Sequence, residues 1–295
     1  MADITASLVK ELRDITGAGM MECKNALKET DGVIDDAIDF LRTRGLASLA
    51  KKAGRATNEG AIASYVSDDN QIGVLIEVNC ETDFVGSNAT FTSFVGWLAQ
   101  MVADQNPADV EALQALTCPD SGLTVEQSFG ELVGKLGENM AVARFVREQI
   151  EGAGAIETYI HAGAKIGIMV KYALGKQESA ASPAFKQFAR DVAMQVAAVD
   201  PIAVSRDDFD QAIVDHELSI YKAQAAESGK PENIQEKMAE GRLHKFFKEQ
   251  ALIEQAFVKD PDISISDLMT RVGKEIDDTI QIVSFPRYNL GETQA

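Results

Sequence analysis

The sequence predicts an α+β protein, and three observations point that way. One is the near-continuous apolar run Ile72-Gly73-Val74-Leu75-Ile76-Glu77-Val78, rich in β-branched residues, which has the composition of a strand buried in mid-sheet. Another is a repeat: Gly60-Ala61-Ile62-Ala63-Ser64-Tyr65-Val66 returns as Gly154-Ala155-Ile156-Glu157-Thr158-Tyr159-Ile160, at an offset of 94 residues. The third is helical spacing of apolar residues before, between and inside the repeated segments. Together they predict a small helical head, two sister β-β-α-α-β units with three-stranded antiparallel sheets, and one inserted helical hairpin.

The head reads as three short helices. Leu8, Leu12 and Ile15 share a face after a Thr5 cap, and Gly17-Ala18-Gly19 breaks the first helix. Cys23 and Leu27 mark a second; Asp31-Gly32 turns into a third with Ile34, Ile38 and Leu41, ending near Gly45. So small a core cannot take both Met20 and Met21. At least one is expected at the surface as an adaptable contact group, against the alternative of one core Met and one merely tolerated outside. Lys51-Lys52-Ala53-Gly54-Arg55 reads as a solvated linker.

Beyond the linker the offset of 94 persists without a gap. It pairs Ile72–Ile76 with Ile166–Val170, then Phe91, Phe94, Leu98, Val102 and Pro107 with Phe185, Phe188, Val192, Val196 and Pro201. Each copy therefore opens as a hairpin followed by an amphipathic helix. Val133-Gly134-Lys135 returns as Val272-Gly273-Lys274 at an offset of 139, and Phe145 with Arg147 as Phe285 with Arg287 one residue further on. About 45 extra residues thus sit inside the second copy. They read as two polar helices joined through Ser228-Gly229-Lys230-Pro231, an antiparallel hairpin projecting from the body.

At the end of the central strand of copy one stands Glu81-Thr82-Asp83-Phe84-Val85, before an Asn88 cap for the next helix. An aromatic on such a connection is either a lid on its own core or a probe held outward, and burial is the commoner state of a Phe. The sister copy tips the balance. It has Lys176-Gln177-Glu178-Ser179 at the matching positions, with no apolar residue where Phe84 stands, so Phe84 is expected to act outward.

A net charge of -18 argues against a phosphate-reading surface and for a protein partner. Cys23, Cys80 and Cys118 lack the number and spacing of a disulfide framework or a zinc site, and no signal peptide or membrane-spanning run is seen, so a cytoplasmic, reduced setting is expected. Gly130-Glu131-Leu132-Val133-Gly134-Lys135 is one residue short of a phosphate-binding loop. His161 precedes a turn, Ala162-Gly163-Ala164, and His216 and His244 fall in the inserted hairpin, with no metal-ligand or nucleophile–base spacing. The residues describe a binding protein, not an enzyme.

Three motifs are specific: Leu8-Val9-Lys10-Glu11-Leu12-Arg13 running into Thr16-Gly17-Ala18-Gly19-Met20-Met21-Glu22-Cys23-Lys24, then Glu77-Val78-Asn79-Cys80-Glu81-Thr82-Asp83-Phe84-Val85, then Ser228-Gly229-Lys230-Pro231. Through them the chain resembles the bacterial elongation factor Ts family over nearly its whole length. That resemblance implies a ubiquitin-associated-like domain at 1–52, core halves at 53–150 and at 151–205 with 251–295, and a coiled-coil hairpin at 206–250. It implies a guanine nucleotide exchange factor that binds elongation factor Tu in its GDP-bound and nucleotide-free forms, with no cofactor or metal of its own and no direct nucleic-acid or membrane contact. Carried over residue by residue, Thr82, Asp83, Phe84 and Val85 intrude beside the partner's magnesium site and dislodge the ion. Arg13, Met20 and Met21 touch the same GTPase domain, and His161 faces another domain of the partner. Whether Asp83 acts by charge or as a cap is left open. Glu22 and Asn25 depart from the family's usual Asp and Lys and shift the charge beside the methionines.

Overall fold

Thr5 begins the first helix as its position predicts: its hydroxyl accepts the Leu8 N–H. The computed structural model describes residues 4–119 and 121–292, so the outermost residues of the expected first and last spans, 1–3 and 293–295, lie outside it. Helix α1 (Ala6–Thr16) closes at Gly17, whose left-handed φ of 66° returns its N–H to the Arg13 carbonyl. With α2 (Met20–Glu29) and α3 (Ile34–Lys52) it encloses a small core of Val9, Leu12, Cys23, Ala26, Leu27 and Ala37.

Strands β1 (Glu59–Val66) and β2 (Ile72–Cys80) form an antiparallel hairpin. The short helix α4 (Asp83–Gly86), α5 (Ala89–Gln105, capped by Asn88), α6 (Val110–Ala115) and α7 (Val125–Leu136) follow. Strand β3 (Met140–Gln149) then returns to the free side of β2, with a bulge between Glu77 and Val78. Alternation along β2 divides its side chains. Val74, Ile76, Val78 and Cys80 join Phe91, Leu98, Phe129 and Val133 under the helices, while Leu75 belongs to a separate cluster on the opposite face.

The third helix does not stop near Gly45. Glycine in a helix interior costs about 1 kcal/mol relative to alanine, but a Cβ at Gly45 would lie 2.7 Å from the Gly130 carbonyl oxygen. The missing side chain lets α3 press backbone to backbone on α7 and run on into the first two residues of the expected linker, ending at Lys52.

The second copy repeats the plan with β4 (Gly154–Ile160), β5 (Ile166–Leu174) and α8 (Pro183–Val199). The insertion is the helix pair α9 (Gln211–Ala226) and α10 (Glu232–Gln250), turning through Gly229 at φ 66°. An unexpected small hairpin, β6 (Ala256–Phe257) with β7 (Asp260–Ser264), leads into α11 (Ile265–Glu275). The expected single third strand is broken in two. β8 (Ile280–Ser284) pairs with the end of β5 and β9 (Arg287–Asn289) with its beginning, making a four-stranded sheet. Pro286 has no N–H to give a ladder, and only its carbonyl takes part, accepting the Met169 N–H.

The two sheets face each other across Ile62, Leu75, Ile150, Ile156, Met169 and Tyr288. At one side of this seam Glu77, fully buried, takes a 2.8 Å bond from Arg144 and a 2.9 Å bond from the backbone N–H of Gly291. The Arg144 guanidinium also lies 4.0 Å over the Tyr288 ring.

Candidate partner-binding surface

Strand β2 ends at Cys80, and the turn that follows is held from outside at Glu81, Thr82, Val85 and Gly86. The Glu138 carboxylate, in the loop between α7 and β3, takes both the Thr82 N–H at 3.0 Å and the Thr82 hydroxyl at 2.6 Å. The neighbouring Asn139 N–H donates to Glu81 at 2.6 Å, and Arg55 donates to the same carboxylate. These donors, Asn139 first and then Arg55, hold the Glu81 carboxyl below its ordinary range. The Cys80 thiol donates to the Thr82 carbonyl, and burial, with the nearby Glu138 charge, pushes its pKa up to about 12.

Thr82 also caps the four-residue turn α4, its hydroxyl accepting the Val85 N–H. Capping therefore falls to Thr82, and the exposed Asp83 stands in the first turn as a free-facing charge. Val85 is buried in the core under α5, and Gly86 seats the turn on β1, where a Cβ would come within 2.8 Å of the Gly60 carbonyl oxygen. Between these anchors Phe84 is 83% exposed. Of the four expected residues, two hold the turn and two face outward.

At the sister position the chain forms a short 3-10 turn, Gln177–Ala181, with Glu178 exposed and Ser179 buried. The remaining expected residues are spread over three places, α1, α2 and the end of β4. Arg13 lies exposed in the last turn of α1, and Met20 and Met21, 56% and 65% exposed, open α2. Thr16 at the end of α1 and Thr90 at the start of α5 line one cleft. His161 is exposed at the end of β4, 2.9 Å from the Tyr159 hydroxyl. The turn after it reaches the first copy: Lys165 bonds Glu59 at 2.9 Å, and its pKa is raised by that carboxylate first and by the charge of Asp83 to a lesser degree.

Among the described residues no cluster of three or more His, Cys, Asp or Glu is placed to hold a metal ion, and no helix is long and apolar enough to cross a membrane. Exposed apolar groups on rigidly held turns are the chemistry of protein contact.

A profile described as Elongation factor TS matches residues 81–292, and curated relatives extend the match to almost the whole chain. Elongation factor Ts of Clostridium perfringens is 47% identical over 289 residues, covering 98% of this chain and 93% of the relative. The chain belongs to the Elongation factor Ts family. Elongation factor Ts of Clostridium kluyveri is 46% identical over 290 residues, with the same coverage. That of Nitratidesulfovibrio vulgaris is 42% identical over 292 residues, covering 99% of this chain and 97% of the relative. The Elongation factor Ts profile begins at Glu81, so it takes in the Phe84 turn, both ends of the Glu138 clamp and the second sheet. Sequence reasoning missed that clamp because no local pattern marks a loop carboxylate. The signal available was Asp278, an acidic residue at the corresponding place in the sister copy.

Proposed function

We propose that this chain is a translation factor acting as guanine nucleotide exchange factor for elongation factor Tu in the cytoplasm. It binds the GDP-bound form, dislodges the magnesium ion held there and promotes GDP release so that GTP can bind; it is not itself an enzyme. The observation that carries this reading is Phe84, an aromatic ring held 83% exposed on a turn whose neighbours on both sides are fixed. Membership of the Elongation factor Ts family supports it.

A GTPase holds GDP largely through phosphate contacts and a bridging magnesium ion. Burying the Phe84 ring between two helices of the partner gains about 1.5–3 kcal/mol, and only where those helices have moved apart. The displaced geometry is stabilised and the nucleotide is held less tightly. By linkage, nucleotide weakens the grip of this chain on its partner by the same factor. Asp83, exposed and not used as the cap, fits a charge role near the magnesium ligands.

In this reading the head, 1–52, is a ubiquitin-associated-like domain that presents Arg13, Met20 and Met21 to the GTPase domain. The core halves are 53–150 and 151–205 with 251–295, His161 of the second facing another partner domain. The insertion, 206–250, is a coiled-coil hairpin. The separate clusters around Leu12, Phe91 and Phe188 support these divisions.

The test is Phe84→Ala, measured as release of fluorescent GDP from elongation factor Tu. Folding is expected to stay intact and release to slow about 10- to 150-fold, the rate equivalent of the burial lost. Release at the unaltered rate would sink the proposal.

A further inference from the structure

We infer that Glu138 is the positioning residue that sets the aim of Phe84, a role that rests on the exchange function proposed above. A wedge is useful only if its direction is fixed before contact, because ordering a loose loop consumes the free energy gained on insertion. The Phe84 turn keeps its shape through its own bonds, Gly86 N–H to the Thr82 carbonyl and Ser87 N–H to the Asp83 carbonyl, and Val85 and Gly86 seat its far side; its direction still depends on how its first residue is held. Its aim is set where it leaves β2, and there one carboxylate takes both polar hydrogens of Thr82, at 3.0 and 2.6 Å. A two-point bond fixes a direction as well as a distance.

The loop that carries Glu138 is itself tied to the stem of the head. Lys52 donates to the Gly137 carbonyl at 2.6 Å, and the Asn139 amide donates to the Arg55 carbonyl at 2.9 Å. Residues 137–139 thus hold Phe84 in a fixed relation to α3, whose head carries Met20 and Met21.

The sister copy contains the backbone half of this clamp without the wedge. Asp278 corresponds to Glu138 and Lys176 to Thr82, and the Asp278 carboxylate takes the Lys176 N–H at 3.0 Å. What it holds there is Glu178, not an aromatic ring. The bond from carboxylate to backbone N–H is therefore a shared part of the scaffold, and copy one adds the hydroxyl bond and the ring that it aims. Asp278→Ala supplies a control that removes the corresponding N–H bond in the copy without the ring.

The experiment uses the full chain and elongation factor Tu loaded with fluorescent GDP, with release followed over a range of factor concentrations. Glu138→Ala is expected to lower the maximal release rate at least tenfold and to shift the half-saturating concentration less than twofold, since the other contact surfaces are intact. Glu138→Gln should restore most of the rate, because its amide oxygen can accept the Thr82 N–H while its NH2 donates to the hydroxyl. Asp278→Ala should leave release unchanged. Glu138→Ala added to Phe84→Ala should slow release no further, as two residues acting through one group are not additive. Should Glu138→Ala fail to fold, Thr82→Val removes the hydroxyl half of the clamp and is expected to slow release in the same way. Wild-type release from Glu138→Ala or Thr82→Val, a further loss in the double variant, or equal loss from Asp278→Ala would overturn the assignment. If Phe84→Ala alone leaves release untouched, it is the exchange reading that falls, and this inference falls with it.

Discussion

Ser64 Oγ lies 3.1 Å from Thr158 Oγ1, and the two hydroxyls occupy equivalent positions of the two copies, 94 residues apart. The contacts around them exchange roles in the same way. A Cβ on Gly73 would meet Ile156 and Met169, and a Cβ on Gly167 would meet Ile62 and Leu75, each the counterpart of the other at that offset. The seam between the sheets is therefore an approximately two-fold, self-complementary contact of the kind that joins identical subunits, made here within one chain.

Gly73→Ala and Gly167→Ala are expected to destabilise the protein by similar amounts, about 1–3 kcal/mol each, the usual cost of overpacking a filled core. The new methyl would stand 2.5 Å from Ile156 Cγ2 in one case and 2.5 Å from Ile62 Cγ2 in the other. Gly54→Ala, with nothing within 4 Å, is the control and should leave the melting temperature almost unmoved. Thermal unfolding of the three variants checks this.

Arg144→Met would strand the buried Glu77 carboxylate with the Gly291 N–H as its one remaining partner among the described residues. Removing one member of a buried ion pair costs about 3–5 kcal/mol. Urea titration should show a loss of that order, and hydrogen exchange at Gly291 should speed up. A loss below about 1 kcal/mol, the range of surface pairs, would mean that the pair contributes as a surface pair does.

Cys23, Cys80 and Cys118 are all buried and free. The thiolate is the reactive form, and burial raises the Cys23 pKa and pushes that of Cys80 up to about 12. Native protein at pH 8 should react with a thiol reagent far more slowly than the same protein in guanidinium chloride. Prompt labelling of Cys80 without denaturant would show that the end of β2 opens readily.

Glu81 gives a pH dependence of definite sign. Its carboxyl is held below the ordinary value of 4.5 by the Asn139 N–H and by Arg55. The unfolded chain therefore takes up the proton first, so the contribution of Glu81 is complete above pH 4.5 and is lost as pH falls through the lowered folded value. The stability difference between wild type and Glu81→Gln should be constant near neutrality and shrink in that acid range. A difference that grows on acidification would contradict the sign.

Features set by neighbours in sequence were legible before the structure. The β-branched run became β2, Asn88 caps α5, and Gly229 turns the inserted helices. What could not be read depends on partners far along the chain. Gly45 reads as a stop signal until Gly130 is brought against it, and Pro286 breaks a strand whose other half still finds β5. The outward stance of Phe84 was legible only through its sister residue, whereas the burial of Val85 beside it and the grip of Glu138, 56 residues from Thr82, carry no mark in local pattern.

The Gly291 bond to Glu77 also orders events in time. Residues 59–149 hold every strand of the first sheet and Arg144, which bonds one oxygen of the buried Glu77, yet the other oxygen is satisfied only when a segment some 140 residues later arrives. During synthesis the first half can collapse on its own helices while that face stays wet, and the two halves lock when residues 287–292 emerge. Residues 287–292 are thus the bolt that closes the body.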